Sequence, residues 1–146
     1  MRLDHIPAIG SVMTPFPCVV QVDESVLAAR ALMIGHGVRH LPVKNGNVLA
    51  GVLTDRDLKR ALDPSLGLPP IEELFVRDVF LPDAYIVDVS EPLDVVLDHL
   101  SSEHIGSALV TKSGRLVGIF TVTDAARLFC AHLRLLFPSR PGTEIA

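Results

Sequence analysis

The chain has no tryptophan, a single tyrosine and only two cysteines in 146 residues. With no CxxC spacing, Cys18 and Cys130 point to a reducing, cytosolic setting. A basic surplus is missing too. The net charge is −4, which argues against non-specific nucleic-acid binding, because phosphate neutralisation needs excess lysine and arginine. No apolar run approaches the roughly 18 residues of a membrane span, and residues 1–10 carry no signal-peptide core. Six histidines are present without metal-ligand spacing. His36 and His40 are separated by a helix-ending Gly37, His99 and His104 point to different helix faces, and no HExxH occurs. Cys18 has no histidine base near it in sequence, and the serines lack a nucleophile-elbow setting. These absences leave neither a membrane protein nor an obvious enzyme.

What is present is a repeat. Shifted by 67 positions without a gap, the chain matches itself at Val12/Val79, Pro15/Pro82, Val20/Val87, Val22/Val89 and Glu24/Glu91. Further on, Val43/Val110, Leu49/Leu116, Gly51/Gly118, Thr54/Thr121, Asp57/Asp124 and Arg60/Arg127 also agree. Chance would give about three identities over such a stretch. A unit of about 60 residues buries too little apolar surface to stand alone, so the copies should share a core about a pseudo-twofold axis. At 49 % apolar composition, the chain has enough for that core and for some surface left to a partner.

Each copy reads as β-α-β-β-α, an α/β (α+β) arrangement. The first has a strand over 18–22, a helix started by Asp23, Glu24 and Ser25 and ended by Gly35 and Gly37, and a strand over 41–43. An Asn-Gly hairpin turn follows, then a strand over 48–53 and a helix capped by Thr54 or Asp55 that runs to about Leu62. The second has strands over 85–89, 107–111 and 115–120, with helices over 91–103 and from Thr123 to about Leu135. The expected divisions are residues 1–66 for the first repeat with its N-terminal segment, 67–75 for a connector, 76–137 for the second repeat and 138–146 for a loose tail. Hairpin strands this apolar are expected to be covered on both faces. Phe129, Leu133, Leu135, Leu136 and Phe137 would either pack on the protein's own first segment or form a dimer interface.

The polar signal that repeats is Gly-x-x-Thr-x-x-Asp, at Gly51, Thr54 and Asp57 and again at Gly118, Thr121 and Asp124. Glycine in an apolar strand admits close approach of another group. Thr and Asp three apart at a helix start share one face. An ionised Asp accepts two hydroxyl donors, which suits a ribose diol, and a helix N-terminus favours an anion. The same residues also serve simply as helix caps.

The ordered elements, with Val38 to Val43, Gly51 to Asp57, Ile105 to Val110 and Gly118 to Asp124, resemble two CBS domains in tandem, a Bateman module. Val12-Met13-Thr14-Pro15 and its weaker copy Val79-Phe80-Leu81-Pro82 resemble the family's opening. The resemblance covers about residues 10–135. It implies two pseudo-twofold-related units packed sheet to sheet, with two clefts for adenosine compounds such as AMP, ADP, ATP or S-adenosylmethionine. It puts ribose on Asp57 with Thr54 in one cleft, and on Asp124 with Thr121 in the other. The base would lie against Met13, Cys18 and Val20 in the first half, and against Phe80, Tyr85 and Val87 in the second. Phosphates would meet Arg39, His40 and Arg56, whose counterparts Gly106, Ser107 and Thr123 carry no charge, so the second cleft should hold polyphosphate less well. The function implied is a non-catalytic, cytoplasmic, homodimeric sensor of an adenine nucleotide that signals to an unknown partner. A sequence beginning at Met1 with no appended domain suggests that the partner is a separate chain. No cofactor or metal is expected. The alternative is a structural dimerisation module without a nucleotide.

Overall fold

In the computed structural model, which describes residues 3–138, the sequence repeat becomes a structural one. After a two-residue strand β1 (Thr14–Pro15), the first copy runs β2 (Val20–Gln21), α1 (Val26–His36), β3 (His40–Asn45), β4 (Val48–Thr54) and α2 (Asp55–Ala61). The second runs β5 (Ile86–Asp88), α3 (Leu93–Ser102), β6 (Ser107–Lys112), β7 (Arg115–Thr121) and α4 (Val122–Leu136). Both copies are β-α-β-β-α. Residues 63–75 between them contain only two 3-10 turns, Pro64–Leu66 and Ile71–Glu73. Most of the tail expected to be loose, residues 139–146, lies outside the described residues.

Local chemistry accounts for the element ends. Ser25 caps α1 by accepting the Ala28 N–H at 3.0 Å, which satisfies one of the donors a helix start leaves open. The helix passes through Gly35 and stops at Gly37, whose φ of +62° is the left-handed turn that favours glycine. Gly35 was expected to share in that termination, but it lies inside the last turn and only Gly37 reverses the chain. In the second copy, Pro92 is extended (ψ 138°), so α3 begins at Leu93 and not at Glu91. α4 begins one residue before the expected Thr123, because Thr121 supplies the cap.

Two sheets form, β2-β3-β4 and β1-β7-β6-β5. Their registers are related by the shift of 67: Val20 opposes Val43 where Val87 opposes Val110. An irregularity between Val43 and Lys44 recurs between Val110 and Thr111. Under the first sheet lie Val20, Val26, Met33, Leu41 and Leu53; under the second lie Val87, Val96, Leu100, Val110 and Phe120. Between the sheets, Val52 packs with Leu109 and Ile119, which joins the two units face to face.

The copies also exchange their leading segments. Residues 74–80 complete the first core through Leu74, Val76 and Phe80, while residues 9–13 complete the second through Ile9, Val12 and Met13. The backbone pairs are reciprocal. Ala8 bridges Pro92 and Phe75 bridges Ser25; Thr14 pairs with Ile119 and Leu81 with Val52. At the second kind of crossing, the N–H of Val52 donates to the Leu81 carbonyl at 3.0 Å and the N–H of Leu81 donates back at 2.9 Å. Gly51 and Gly118 stand at these crossings. A Cβ on Gly51 would lie 2.1 Å from the Leu81 carbonyl oxygen, and one on Gly118 would lie 2.2 Å from the Met13 sulfur. At both glycines close approach, and not backbone conformation, is the constraint, from backbone at Gly51 and first from the Met13 side chain at Gly118.

Candidate functional site

Each Thr-Asp pair is built at the junction of a hairpin strand and the following helix. The Thr54 N–H and hydroxyl both donate to Asp57 Oδ2, each at 2.8 Å, and the Asp57 N–H donates to Thr54 Oγ1 at 3.2 Å. This is a capping box with Asp in place of Glu, and it holds the buried Asp57 carboxylate in a fixed orientation. The copy repeats it: the Thr121 N–H donates to Asp124 Oδ2 at 2.9 Å, and the Asp124 N–H donates to Thr121 Oγ1 at 3.2 Å. Capping explains the conserved spacing of these residues within the chain. What surrounds the first box goes beyond capping.

A cavity of about 660 Å³ opens over the β4–α2 junction. From the first copy it is lined by Thr54 and Asp57 together with Arg39, His40, Arg56, Lys59 and Arg60. From the second it is lined by Leu81, Ala84, Tyr85, Ile105, Gly106 and Ser107. The first copy's wall thus carries four cations against the carboxylates of Asp55 and Asp57, while the second copy's wall mixes apolar side chains with Asp83 and His104. Lys59 shares its charge with Asp55, at 3.0 Å one turn back. The counterparts of Arg39, Arg56 and Lys59 in the second copy are Gly106, Thr123 and Ala126. Only Arg127 matches Arg60, and it sits 3.7 Å from Asp124 Oδ1. Because Asp55 offsets Lys59 and its own counterpart Val122 is uncharged, the electrostatic inequality of the two junctions remains that of Arg39 and Arg56.

The structure brings Thr54, Asp57, Arg39, His40 and Arg56 together around this cavity, and it adds Tyr85 from the other copy. The expected pairing of halves changes. Met13 and Cys18 do not line the cavity beside Asp57: Met13 lies against Gly118 and the second core, and Cys18 packs on the first core. Val20 and Val87 are core residues, 0 % and 6 % exposed, and Phe80 packs against the first core beside Gly51. The physical reason is the exchange of leading segments, which carries residues 81–85 to the first copy's Thr-Asp pair and residues 13–15 to the second's. Lys59, Arg60, Leu81 and Ala84 were not anticipated. The two cations follow Asp57 within one turn of the same helix, which was a legible signal. Leu81 and Ala84 became visible only with the crossing.

Tyr85 stacks on His99 of α3, ring centroids 3.9 Å apart and planes inclined by 26°. Burial, then the Glu91 charge, pushes its phenol pKa up, so the ring presents a neutral hydroxyl. His40 lies across the seam under Gly106. Burial lowers the pKa of its imidazole, against the opposing pull of the Asp57 and Asp124 carboxylates. No cluster of three or more His, Cys, Asp or Glu side chains able to hold a metal occurs among the described residues.

Against known proteins, the CBS domain matches twice, at residues 9–64 and 76–130. The chain belongs to the CBS-domain family. It is 30 % identical over 146 aligned residues to inosine-5′-monophosphate dehydrogenase of Staphylococcus haemolyticus, an alignment that covers 92 % of this chain but 28 % of the dehydrogenase. It is 29 % identical over 103 residues to A-adding tRNA nucleotidyltransferase of Geobacter sulfurreducens, covering 70 % of this chain and 11 % of that enzyme. The chain thus spans less than a third of either curated relative. Solved CBS structures match it end to end. An uncharacterized conserved protein from Pyrococcus horikoshii superposes with a TM-score of 0.73 at 29 % identity, covering 99 % of this chain and all of its own. CBSX2, solved in complex with AMP, gives 0.74 at 27 % identity over 88 % of this chain and 99 % of its own. The paired CBS fold with two sheets and four helices is shared with these neighbours.

Proposed function

We propose that this CBS pair is a non-catalytic regulatory module that binds an adenine nucleotide in the cavity at the first Thr-Asp pair and passes its occupancy to a partner protein in the cytoplasm. The observation that carries the reading is the joining of a buried, oriented Asp57 to four cationic side chains and to the apolar side chains of Leu81, Ala84 and Ile105 around one cavity. Asp57 would hold the ribose hydroxyls through Oδ1, the oxygen outside the capping bonds. The base would lie against Leu81, Ala84 and Tyr85, and the phosphates would meet Arg39, Arg56 and Lys59. The AMP-bound state of CBSX2 supports the ligand class. The second junction, around Thr121 and Asp124, would hold a ligand with less negative charge.

The module would act as a homodimer. α4 has no buried residue, and Phe129, Leu135, Leu136 and Phe137 are all more than half exposed, an apolar face suited to a second copy. A ligand at the seam would bias the packing of the two units only by its differential affinity for their arrangements. Calorimetry with AMP, ADP and ATP tests the scheme. Asp57→Asn, which keeps an acceptor for the cap, should cost about 1–3 kcal/mol of nucleotide binding. Arg39→Ala should weaken ATP and ADP more than adenosine, and Asp124→Ala should act chiefly on a separate, weaker site at the second junction. Absence of heat and of any melting shift at millimolar nucleotide would favour a structural dimerisation role instead.

A further inference from the structure

His40 and Gly106 form a pair across the seam that neither repeat contains by itself. Under the shift of 67, His40 corresponds to Ser107 and Arg39 to Gly106. The first copy therefore places two nitrogenous side chains where the second has almost no side chain at all. A Cβ on Gly106 would lie 2.7 Å from His40 Nε2 and 3.3 Å from its Cε1. The imidazole thus occupies the room that Gly106 leaves open, and it is held at the wall of the cavity beside Thr54, its partner across the β3–β4 hairpin, and Asp57. His40 is half-buried, and its ring joins in no hydrogen bond among the described residues. A ligand therefore meets a ring nitrogen that the protein has not engaged.

The charges facing this ring come from several elements. Arg39 precedes it just before β3, Asp55 and Asp57 face it from α2, and Asp124 faces it from α4. Arg56, Lys59 and Arg60 line the same cavity from α2. From the second copy, Asp83, Tyr85 and His104 complete the ionisable groups on the opposite wall. Burial holds His40 neutral at pH 7 in the absence of ligand, with its pKa below the ordinary 6.5. An anion beside it favours the protonated form. We infer that His40, seated against Gly106, takes up a proton from solvent when the phosphate of a nucleotide enters this cavity, so that the seam senses the phosphorylated form of its ligand and binds it more tightly as pH falls. This deepens the nucleotide-binding reading and rests on it. The protonated imidazole then donates to a phosphate oxygen, a charge-assisted bond that an adenosine without phosphate would not elicit. Because the pair has no counterpart at the second junction, proton uptake belongs to one cavity per chain.

Calorimetry of ADP binding at pH 7, in buffers of different ionisation enthalpy, counts the protons taken up. Adenosine binding under the same conditions is the reference, and the ¹H–¹³C signal of the His40 ring is followed by NMR. The wild type should gain a fraction of a proton with ADP and none with adenosine, and the His40 signal should move towards its protonated position as ADP is added. His40→Gln should bring ADP uptake down to the adenosine level, with a larger loss of affinity for ADP than for adenosine. Relative to that variant, the wild type's ADP affinity should rise several-fold from pH 8 to pH 6.5, within the limit of about tenfold per pH unit for one proton. Gly106→Ala should displace the imidazole, since the atom in its way is a ring nitrogen and not backbone, and so should also lose the uptake while keeping the fold. Uptake that survives His40→Gln, or that disappears only in His104→Gln, would overturn the assignment while leaving nucleotide binding intact. Failure of both ADP and adenosine to bind would overturn the nucleotide reading and this inference with it.

Discussion

At the residue scale, the two glycines of the repeated motif are equivalent in position but not in tolerance. A methyl group on Gly51 meets a backbone oxygen that is already hydrogen-bonded across the crossing, whereas on Gly118 it first meets the end of the flexible Met13 side chain. Overpacking costs about 1–3 kcal/mol, and more where backbone must move. Gly51→Ala should therefore lower the unfolding midpoint in urea more than Gly118→Ala, and equal losses would contradict the crossing geometry. His40 predicts a pH effect of known sign. Its folded pKa lies below the ordinary 6.5 because burial disfavours the charged ring. The unfolded chain then binds more protons between the two values, and stability falls as pH drops through that window. Thermal melts of the ligand-free protein from pH 8 to pH 5.5 should show this loss, and His40→Gln should reduce it.

At the scale of elements, the exchanged leading segments determine which residues belong to one core. Ile9 and Val76 are related by the shift of 67 and are both fully buried, yet each serves the other copy's sheet. Ile9→Ala should cost about 2–4 kcal/mol and Val76→Ala somewhat less, as expected for cavities left by larger and smaller side chains. Hydrogen exchange locates the damage. Ile9→Ala should first expose amides of β5 and β6, and Val76→Ala those of β2 and β3. A loss confined to each residue's own copy in sequence would contradict the exchange. The short strands β1, β2 and β5 were hard to delimit from sequence, because their ends depend on pairing with distant segments and not on local periodicity. The helices and hairpins were legible, since Ser25, Thr54, Thr121 and the positive-φ turns at Gly46 and Gly114 act within a few residues.

At the scale of the whole molecule, the exposed apolar face of α4 leads to a prediction about assembly. Phe129 is 62 % exposed although α4 is strongly amphipathic. Ala125 and Leu128 of this helix reach the core that holds Ile9, but packing of Phe129, Leu135, Leu136 and Phe137 on the chain's own first segment does not match their exposure. Phe129→Glu should convert a dimer to a monomer in light scattering at micromolar concentration, with little change in the melting temperature of the isolated fold. A wild type that is already monomeric there would exclude the dimer.

The duplication, the β-α-β-β-α order, the capping boxes and the family are legible before any folding, because each is encoded by residues within a few positions of one another or by an ungapped register. The sequence also supplied Thr54, Asp57, Arg39, His40 and Arg56, which lie on β4, α2 and the start of β3 with the residue before it, adjacent elements of one copy. What stands opposite them depends on how the two copies fold together. Leu81 to Tyr85 reach Asp57, and Met13 reaches Gly118, because backbone pairs formed between copies carry each leading segment to the other unit's sheet. An exact repeat shift is silent on that point. The same register is satisfied whether a segment pairs within its own copy or with its twin, and the choice rests on which sheet edge and which core are left open to receive it.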